Sequence, residues 1–449
     1  MKGFFKKIIA LVLALCVLTP IIGCDGCLIL DQNEVLTPSN IPSVSYTQPV
    51  DKYTQNLDEA TLTSAINDVF QSVVYIENTV SSTSKGRGCG VVVDVDAVGE
   101  SSTIYYIYTC YHVIEDFASL KVVFPYVPTY LDDNNNLQYD YANVDYNTYV
   151  FTSEGVAPQV GFVGGDKPTD VAVLKVDITK YATTTVKDGK TIAPLVPVKA
   201  KVSNRNYSLG QTLFAIGNPT GNLPGSVSSG VLSAINRDIN VDTIGQMKLL
   251  QFDTPINPGN SGGGLFNLYG ELVGITNAGD SDSDNIGFAV PTTINSPTKD
   301  YGNRDTGFVN VAKQLIETAW SDNNGRYNYG YVDGRWQLGL TVGYDTNGAP
   351  YIVSIASDSI FYGTEVETND YIRKISYYKN GQKVTYAISA TGDKLAGDVF
   401  NEVYAIMKAD LSAGDSVTIT FRNRLNQEYS VTATLKQIIY RDTGMGLGK

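Results

Sequence analysis

Short runs of β-branched and aromatic residues recur along most of this chain, and they are bounded by Gly, Pro or Asn. Runs of this length with such endings indicate strands rather than helices. They predict strands over 73–77, 90–96, 103–109, 120–125, 171–176, 195–198, 212–217, 227–235, 249–252, 265–276 and 286–290. Many short strands joined by turns pack as two sheets or barrels, so we expect a mainly β domain of about 230 residues.

A smaller α+β unit is predicted to follow this β domain. Its strands are expected near 338–342, 351–355, 371–375, 417–421 and 429–435, with a helix over 399–409 among them. Two further helices are predicted, a short amphipathic one over 57–70 and a second over 308–319. The acidic, Asn-rich residues 321–328 indicate a linker between the two units.

Composition and charge limit the function classes open to the chain. Its 449 residues predict two or three folded units. Only 18% of the residues are charged and 42 are Gly, which excludes a disordered or coiled-coil chain. The formal net charge of −13 provides no surplus of Lys and Arg for phosphate contacts, so nucleic acid is not expected as a partner.

The N-terminus has the pattern of a secretion signal. Three lysines precede an apolar stretch, and residues 21–24 (Ile-Ile-Gly-Cys) resemble the lipobox of bacterial lipoproteins, in which the Cys becomes the diacylated first residue. We expect residues 1–23 to be removed, Cys24 to carry the lipid, and residues 24–59 to form a flexible tether. The protein would then be anchored to the cell membrane outside the cytoplasm.

Two alternatives concern the same cysteine. An ordinary signal cleaved elsewhere would leave Cys24 as a free thiol. The Cys24–Cys27 spacing also suits a redox or zinc motif, but no βαβ pattern and no second ligand pair follow it.

Cys89 and Cys110 are the cysteine pair of the folded body. Residues 90–96 and 102–110 have the pattern of a hairpin, and folding it about Gly99 and Glu100 places the two cysteines opposite each other. Cross-strand partners approach closely enough for a disulfide, and export permits oxidation. Two buried free thiols are the equally open alternative, because Cys packs well in β cores.

Three separated residues suggest nucleophilic catalysis. His112, the one histidine, ends a predicted strand and can accept a proton, although a lone His is more often a packing residue. Ser261 lies in a glycine-dense turn over 256–264 that can hold backbone N–H groups beside a hydroxyl. Asp170 heads an apolar strand and can orient His112, or it can simply cap that strand.

These residues, in the order His112, Asp170 and Ser261, resemble the HtrA (DegP/DegS-like) family of trypsin-fold serine proteases. Residues 210–219 (GQTLFAIGNP), 228–234 (SSGVLSA) and 285–291 (NIGFAVP) also resemble strings of that family. The resemblance implies a trypsin-like double β-barrel over 60–297, a helix and linker over 298–330, and a PDZ domain over 331–440.

The resemblance also implies roles for individual residues. Ser261 is expected to be the nucleophile, His112 the general base and Asp170 the orienting acid. The oxyanion hole is expected at Gly259, Asn260 and Ser261. Two residues depart from the family pattern. Cys110 stands where the family usually has Asn, two residues before the His, and Gly264 stands where Pro is common after Ser-Gly-Gly. Residues 126–160 and 278–285 do not align.

The substrate pocket is expected at Pro255, Thr276, Asn277 and Ala278. In the trypsin fold the residue six positions before the nucleophile tends to lie at the pocket floor, and here it is Pro255 instead of an acid. A basic substrate side chain would lack its counter-charge, so we expect cleavage after small or medium apolar residues.

The expected PDZ domain has a candidate carboxylate-binding loop at Leu338, Gly339 and Leu340, where consecutive N–H groups receive a peptide C-terminus. The alternative is a small α+β module without a ligand. Acidic clusters at 132–133 and 280–284 lack the pattern of a calcium loop and indicate solvated loops. No metal or cofactor is expected.

Together these features predict a lipid-anchored, PDZ-regulated serine endopeptidase that degrades or processes misfolded or exposed polypeptides. The family resemblance implies a homotrimer. The alternative is a chaperone or peptide-binding protein that uses the same cleft and groove with little or no turnover.

Overall fold

A computed structural model of the chain describes residues 59–93, 103–155, 158–187, 189–241, 245–279, 285–292, 307–321 and 327–439. The predicted leader over 1–23, Cys24, Cys27 and all but the last residue of the tether lie outside these ranges. So do the turn at Gly99 and Glu100, the acidic cluster at 280–284, and linker residues 322–326. In the described ranges, every helix is too short or too polar to cross a bilayer.

The first part of the chain folds into a seven-stranded antiparallel sheet and two small hairpins. The strands are β1 (Val73–Thr79), β2 (Lys85–Val93), β3 (Ile104–Thr109), β4 (Ser119–Tyr126), β5 (Thr129–Leu131), β6 (Leu137–Tyr139), β7 (Asp145–Thr152), β8 (Val160–Asp166), β9 (Val171–Asp177), β10 (Thr185–Lys187) and β11 (Lys190–Ile192). The sheet order is β7-β4-β1-β2-β3-β9-β8, while β5 pairs with β6 and β10 with β11.

A second seven-stranded sheet follows, and six of its strands close into a barrel. The strands are β12 (Lys201–Val202), β13 (Thr212–Gly217), β14 (Ser226–Val241), β15 (Gly245–Phe252), β16 (Gly264–Asn267), β17 (Glu271–Gly279) and β18 (Gly287–Pro291). The order is β12-β17-β16-β13-β14-β15-β18, and an additional pairing of β17 with β18 closes the ring. The predicted mainly β architecture is therefore confirmed.

The helices lie near the positions that the sequence predicts, with one addition. They are α1 (Glu59–Val69), α2 (Tyr111–Ile114), α3 (Phe308–Thr318) and α4 (Ala396–Asp410). The apolar stripe of α3, with Phe308 and Leu315 fully buried, packs into the core of the first sheet. The short helix α2, which was not predicted, carries His112.

The C-terminal unit contains a six-stranded sheet that packs on α4 with a hydrophobic core of its own. A two-stranded pair, β19 (Trp320–Ser321) and β20 (Tyr327–Asn328), precedes it. The sheet contains β21 (Leu340–Tyr344), β22 (Pro350–Ile355), β23 (Tyr371–Lys379), β24 (Gln382–Ala387), β25 (Ser416–Arg422) and β26 (Glu428–Thr434). Its order is β21-β22-β23-β25-β26, with β24 beside β23, so β21 is an edge strand.

Two strand predictions are wrong. Residues 195–198 are extended but unpaired, and Leu195 is held by burial and by a hydrogen bond from its N–H to the Tyr181 oxygen (2.8 Å). The predicted strand over 265–276 is two strands, β16 and β17. The side-chain oxygen of Asn267 accepts the N–H groups of Tyr269 and Glu271 and forms the turn between them.

The C-terminal unit meets β8 through main-chain and ionic contacts. The Gly330 N–H donates to the Val163 oxygen (2.8 Å), and Gly330 forms a bridge with Gly164. The guanidinium of Arg335 binds the carboxylate of Asp166 in a bidentate pair, with N···O distances of 3.0 and 2.8 Å. Both side chains are largely buried, at 11% and 1% exposure, so this contact is held in a low-dielectric environment.

Candidate active site

Asp170 and His112 form the first half of the site. Asp170 closes the 3₁₀ turn Lys167–Thr169 with a left-handed φ of 52° and lies directly before β9. Its carboxylate accepts hydrogen bonds at one oxygen from the main-chain N–H of His112 (2.9 Å) and at the other from Nδ1 of the ring (2.7 Å). This arrangement fixes the imidazole with Nε2 left to act on a substrate.

The pKa of His112 reflects two opposing effects. Burial lowers it, because a charged imidazolium is poorly solvated there. The hydrogen bond and negative charge of Asp170, together with the charge of Glu115, outweigh burial and raise the pKa above its ordinary value of 6.5. The pair is therefore arranged to stabilise a proton that His112 takes up.

Ser261 lies in the turn between β15 and β16, next to this pair. Its hydroxyl donates to the main-chain oxygen of Asn277 (3.0 Å). The side chain of the same Asn277 donates to Asp170 Oδ2 (2.5 Å), so one residue of β17 connects the serine and the acid. In the described residues the Ser261 hydroxyl makes no hydrogen bond to His112, a bond that is often loose in free enzymes.

The main chain around Ser261 is oriented by hydrogen bonds to its carbonyl groups. The Pro258 oxygen accepts the Thr220 N–H (2.7 Å), and the Asn260 oxygen accepts the Gly263 N–H (2.9 Å). Because a trans peptide points its C=O and N–H in opposite directions, the N–H groups of Gly259 and Ser261 face away from these contacts.

The third predicted oxyanion donor is different. The N–H of Asn260 donates to the Asn257 oxygen within the turn (3.0 Å). The expectation that Asn260 supplies an oxyanion donor is therefore wrong, because that donor already has an acceptor.

Gly259 is required by both conformation and space. Its φ of 101° lies in a region that other residues rarely adopt, and a Cβ there would lie 2.2 Å from the Asn218 oxygen. Residues 218–221 thus pack against Gly259 and leave no room there for a side chain.

Cys89 and Cys110 are free thiols, so the disulfide prediction is wrong and its alternative describes the structure. The strand register does extend toward a Cys89–Cys110 pair, since Val91 is opposite Tyr108. However, the thiols point to different acceptors, Cys89 to the Gly259 oxygen and Cys110 to the Thr276 oxygen, both at 3.3 Å. Burial raises the pKa of each thiol far above its ordinary range, which makes both unreactive.

Cys110, His112 and Asp170 have donor atoms within 4.8 Å of one another, a spacing that suits a metal ion. The contacts already present account for this cluster. His112 Nδ1 and Asp170 bind each other, and the Cys110 thiol donates to a carbonyl. The geometry supports proton transfer, and we assign no metal to it.

Two predicted pocket residues have other roles. The Thr276 hydroxyl donates to the Asn260 oxygen (2.6 Å) and supports the Ser261 turn. The Asn277 side chain donates to Asp170, so both side chains are engaged within the site, and the substrate pocket at these residues stays a prediction. Both are buried on the inner side of β17, whereas Pro255 is exposed and Ala278 half-buried.

The contact between Asn277 and Asp170 was missed by sequence reasoning. The residues are distant in sequence, and an Asn after a buried Thr carries no local signal of such a partner.

The predicted carboxylate-binding loop lies at the start of the edge strand β21. The Ser359 hydroxyl donates to the Leu338 oxygen (2.7 Å), and the Ala356 N–H donates to the Gly339 oxygen (2.9 Å). The N–H groups of Gly339 and Leu340 therefore point away from these contacts.

Comparison with known proteins agrees with this geometry. Residues 88–275 match the family model of the trypsin-like peptidase domain. The fold and this match define a trypsin-like peptidase domain within the chain.

Relatives narrow the class further. Serine protease Do-like HtrB of Bacillus subtilis is 29% identical over 84% of this chain and 80% of its own length. A probable periplasmic DegP-like endoprotease of Halomonas elongata is 35% identical, over 39% of this chain and 35% of its own. Serine endoprotease DegS of Escherichia coli is 34% identical, over 36% and 44%. These similarities support an HtrA-type, trypsin-like serine protease.

Proposed function

We propose that the protein is a serine endopeptidase in which Ser261 is the nucleophile, His112 the general base and Asp170 the orienting acid. The observation that carries this proposal is the hydrogen bond from His112 Nδ1 to Asp170 (2.7 Å), next to a serine in contact with the same Asn277. The N–H groups of Gly259 and Ser261 would bind the oxyanion.

The reaction begins when the Ser261 hydroxyl turns from the Asn277 oxygen to His112 Nε2. The imidazole takes the proton as the serine oxygen attacks the substrate carbonyl, and Asp170 stabilises the imidazolium. His112 then gives the proton to the leaving amine, so the peptide C–N bond breaks and an acyl-serine remains. Water, deprotonated by His112, hydrolyses that ester and regenerates the serine.

Fluorophosphonate labelling and casein hydrolysis test this assignment. Wild type should be labelled at Ser261 and should cleave casein, while Ser261→Ala should do neither. Equal casein cleavage by both, with no labelling of Ser261, would favour the chaperone or peptide-binding alternative.

We also propose that the enzyme acts outside the cytoplasm, anchored through a lipid on Cys24. The lipobox-like sequence and relatives named as periplasmic support this location. Metabolic labelling with a fatty-acid probe should mark wild type and not Cys24→Ala. A Cys24→Ala protein that stays labelled would contradict the anchor.

For the C-terminal unit we propose a PDZ domain that binds peptide C-termini and regulates cleavage of misfolded polypeptides. The edge strand β21 can take up an extended peptide, and the N–H groups of Gly339 and Leu340 can receive its carboxylate. A hydrophobic peptide should change the labelling rate of Ser261, and the same peptide with an amidated C-terminus should not.

The active assembly that we propose is a homotrimer, as the family resemblance implies. Sedimentation equilibrium should give three times the monomer mass, and a monomer at micromolar concentration would contradict it.

A further inference from the structure

A pocket lies between strands β1, β2 and β4 and the loop 218–224, and this loop contacts the Ser261 turn. We call it the Arg87 pocket, and it is lined by Tyr75, Glu77, Arg87, Lys121, Tyr146 and Asn218 with their neighbours. The strands β4, β1 and β2 form its floor, and residues 218–224 form its far wall.

The strand register sets the order of side chains in this pocket. Glu77 is opposite both Arg87 and Lys121, and Tyr75 is opposite Cys89. Alternate residues of a strand share a face, so Glu77, Arg87 and Lys121 lie outward from Tyr75 and Cys89. The Cys89 thiol donates to the Gly259 oxygen, so the strand that carries Arg87 also contacts the Ser261 turn.

The far wall contacts the peptide between Pro258 and Gly259, whose N–H is a predicted oxyanion donor. Arg87 donates to the Gly221 oxygen (3.2 Å) and to the side chain of Asn222. The Thr220 N–H in turn donates to the Pro258 oxygen. Both walls of the pocket thus contact the Ser261 turn.

Two buried polar atoms in the lining have no hydrogen-bond partner among the described residues. They are the hydroxyl of Tyr75 and the side-chain oxygen of Asn218. Buried polar atoms are nearly always paired, and atoms left unpaired in a pocket indicate a ligand that completes them.

The charge of the pocket is positive, although the protein is acidic. Glu77 is shared by Lys85 (3.2 Å), Arg87 (3.9 Å) and Lys121 (3.9 Å). One carboxylate therefore faces three cations, and Lys121 is 46% exposed and free to turn toward a ligand. A second carboxylate, supplied by a ligand, would balance the remaining positive charge.

We propose that the Arg87 pocket binds the leaving-group side of the substrate and selects an acidic side chain in the first two residues after the scissile bond. This inference rests on the proposed function. β17 contacts Ser261 on one side and carries the predicted pocket residue Ala278 for the acyl side. β2 contacts Ser261 on its other side, where the Cys89 N–H donates to the Ser261 main-chain oxygen (2.8 Å). A substrate held at Gly259 and Ser261 therefore leaves across β2 into the Arg87 pocket.

In this pose each unpaired group gains a partner. The Asn218 oxygen accepts a main-chain N–H of the leaving peptide, and the acidic side chain accepts from Lys121 and the Tyr75 hydroxyl. A substrate lysine at the same position would be repelled by Arg87 and Lys121.

Paired fluorogenic peptides test the proposal. The two peptides share one acyl side and carry either Asp or Lys at the first two positions after the cleaved bond. Wild type should cleave the Asp peptide about two- to fivefold faster by kcat/KM, since one partly exposed ion pair is worth up to about that much. Lys121→Glu should reverse the ratio. Lys313→Glu makes the same charge change at an exposed position on α3 and should leave the ratio unchanged.

The outcomes separate the two levels of inference. If fluorophosphonate labels Ser261 but the two peptides are cleaved equally, or the ratio survives Lys121→Glu, the pocket assignment is overturned and the proposed function stands. If Ser261 is not labelled, the proposed function fails and the pocket assignment fails with it. A changed sedimentation coefficient for Lys121→Glu, with an unchanged ratio, would identify the pocket as a contact between copies and overturn the proposal.

Discussion

Asp170 is the residue on which the candidate site is organised. Its left-handed backbone, at φ 52°, is sterically unfavourable for most side chains and is tolerated by Asp. This conformation places its carboxylate where it accepts two hydrogen bonds from His112 and one from Asn277. A neutral side chain at this position keeps the shape of the site and loses the charge.

Asp170→Asn tests that charge. We expect kcat to fall by about 10⁴-fold, because the amide cannot hold the imidazole in its reactive tautomer or stabilise the imidazolium. In wild type, activity should fall as the pH drops through the pKa of His112, which lies above 6.5. In Asp170→Asn this acidic limb should move to lower pH, because the hydrogen bond and charge of Asp170 that raise the pKa of His112 are gone, while burial, which lowers it, remains. A pH–rate profile of kcat/KM measures the shift, and an unmoved limb would contradict the assignment.

Alkylation tests the free thiols. Cys89 and Cys110 are fully buried and each donates to a carbonyl oxygen. Iodoacetamide should leave both unmodified in the folded protein, and should modify both in guanidinium without reductant. Modification only after reduction would show the disulfide that the structure lacks.

At the scale of the strands, Glu271 joins β12 to the barrel. It is almost fully buried on β17 and binds Lys201 (2.7 Å) and Arg205 (3.0 Å). Burial raises the pKa of Glu271, but the hydrogen bonds from Lys201, Asn267 and Arg205 lower it by more than burial raises it. The resulting pKa is about 2. The ionised form is therefore the one that the fold stabilises.

Glu271→Gln should lower the free energy of unfolding by about 2–3 kcal/mol at neutral pH. The wild-type contribution is complete above the ordinary pKa of 4.5 and is lost as the pH falls toward 2. Urea titrations across this window should therefore converge for the two proteins at low pH. A difference that persists at pH 2 would show that geometry, not charge, is responsible.

The strands and helices were predictable because they depend on local patterns. The β-branched runs locate most of β1–β4, β9 and β13–β18, and the apolar spacing of residues 308–319 locates α3. The pattern failed at 195–198, where burial without pairing gives the same residues. It also gave no sign of β7 or β24, which are partly exposed and interrupted by polar residues, or of β8, which is buried but interrupted by glycines.

The site was predictable only in part, for a related reason. His112, Asp170 and Ser261 could be proposed from the sequence because their neighbours form distinctive strings. The contacts of Asn277 and the Arg87 pocket depend on which strands are adjacent, and sequence spacing does not contain that information.

At the scale of the whole chain, the Arg335–Asp166 pair connects the C-terminal unit to the turn that holds Asp170. Asp166 also accepts the Thr169 hydroxyl, so one carboxylate contacts both Arg335 and the turn that precedes Asp170. A buried pair that loses one partner leaves an uncompensated charge.

Arg335→Gln should therefore destabilise the protein by about 3 kcal/mol in a denaturant titration. The matched control is Lys313→Gln, which breaks the exposed Lys313–Glu317 pair and should cost less than about 0.5 kcal/mol. Equal, small losses in both variants would show that the buried pair adds nothing to stability. Restoration by Arg335→Gln combined with Asp166→Asn would attribute the loss to the unpaired carboxylate.

The bridge between Gly164 and Gly330 determines how closely the two units approach. A methyl group on Gly164 would lie 2.6 Å from the Gly330 oxygen, and one on Gly330 would lie 1.7 Å from the Leu315 oxygen. A side chain at Gly164 would therefore collide with the Gly330 backbone, and a side chain at Gly330 would collide with the last turns of α3. Substitutions elsewhere on the two surfaces can change how tightly the units bind each other, but the backbone separation at this bridge requires glycine at both positions.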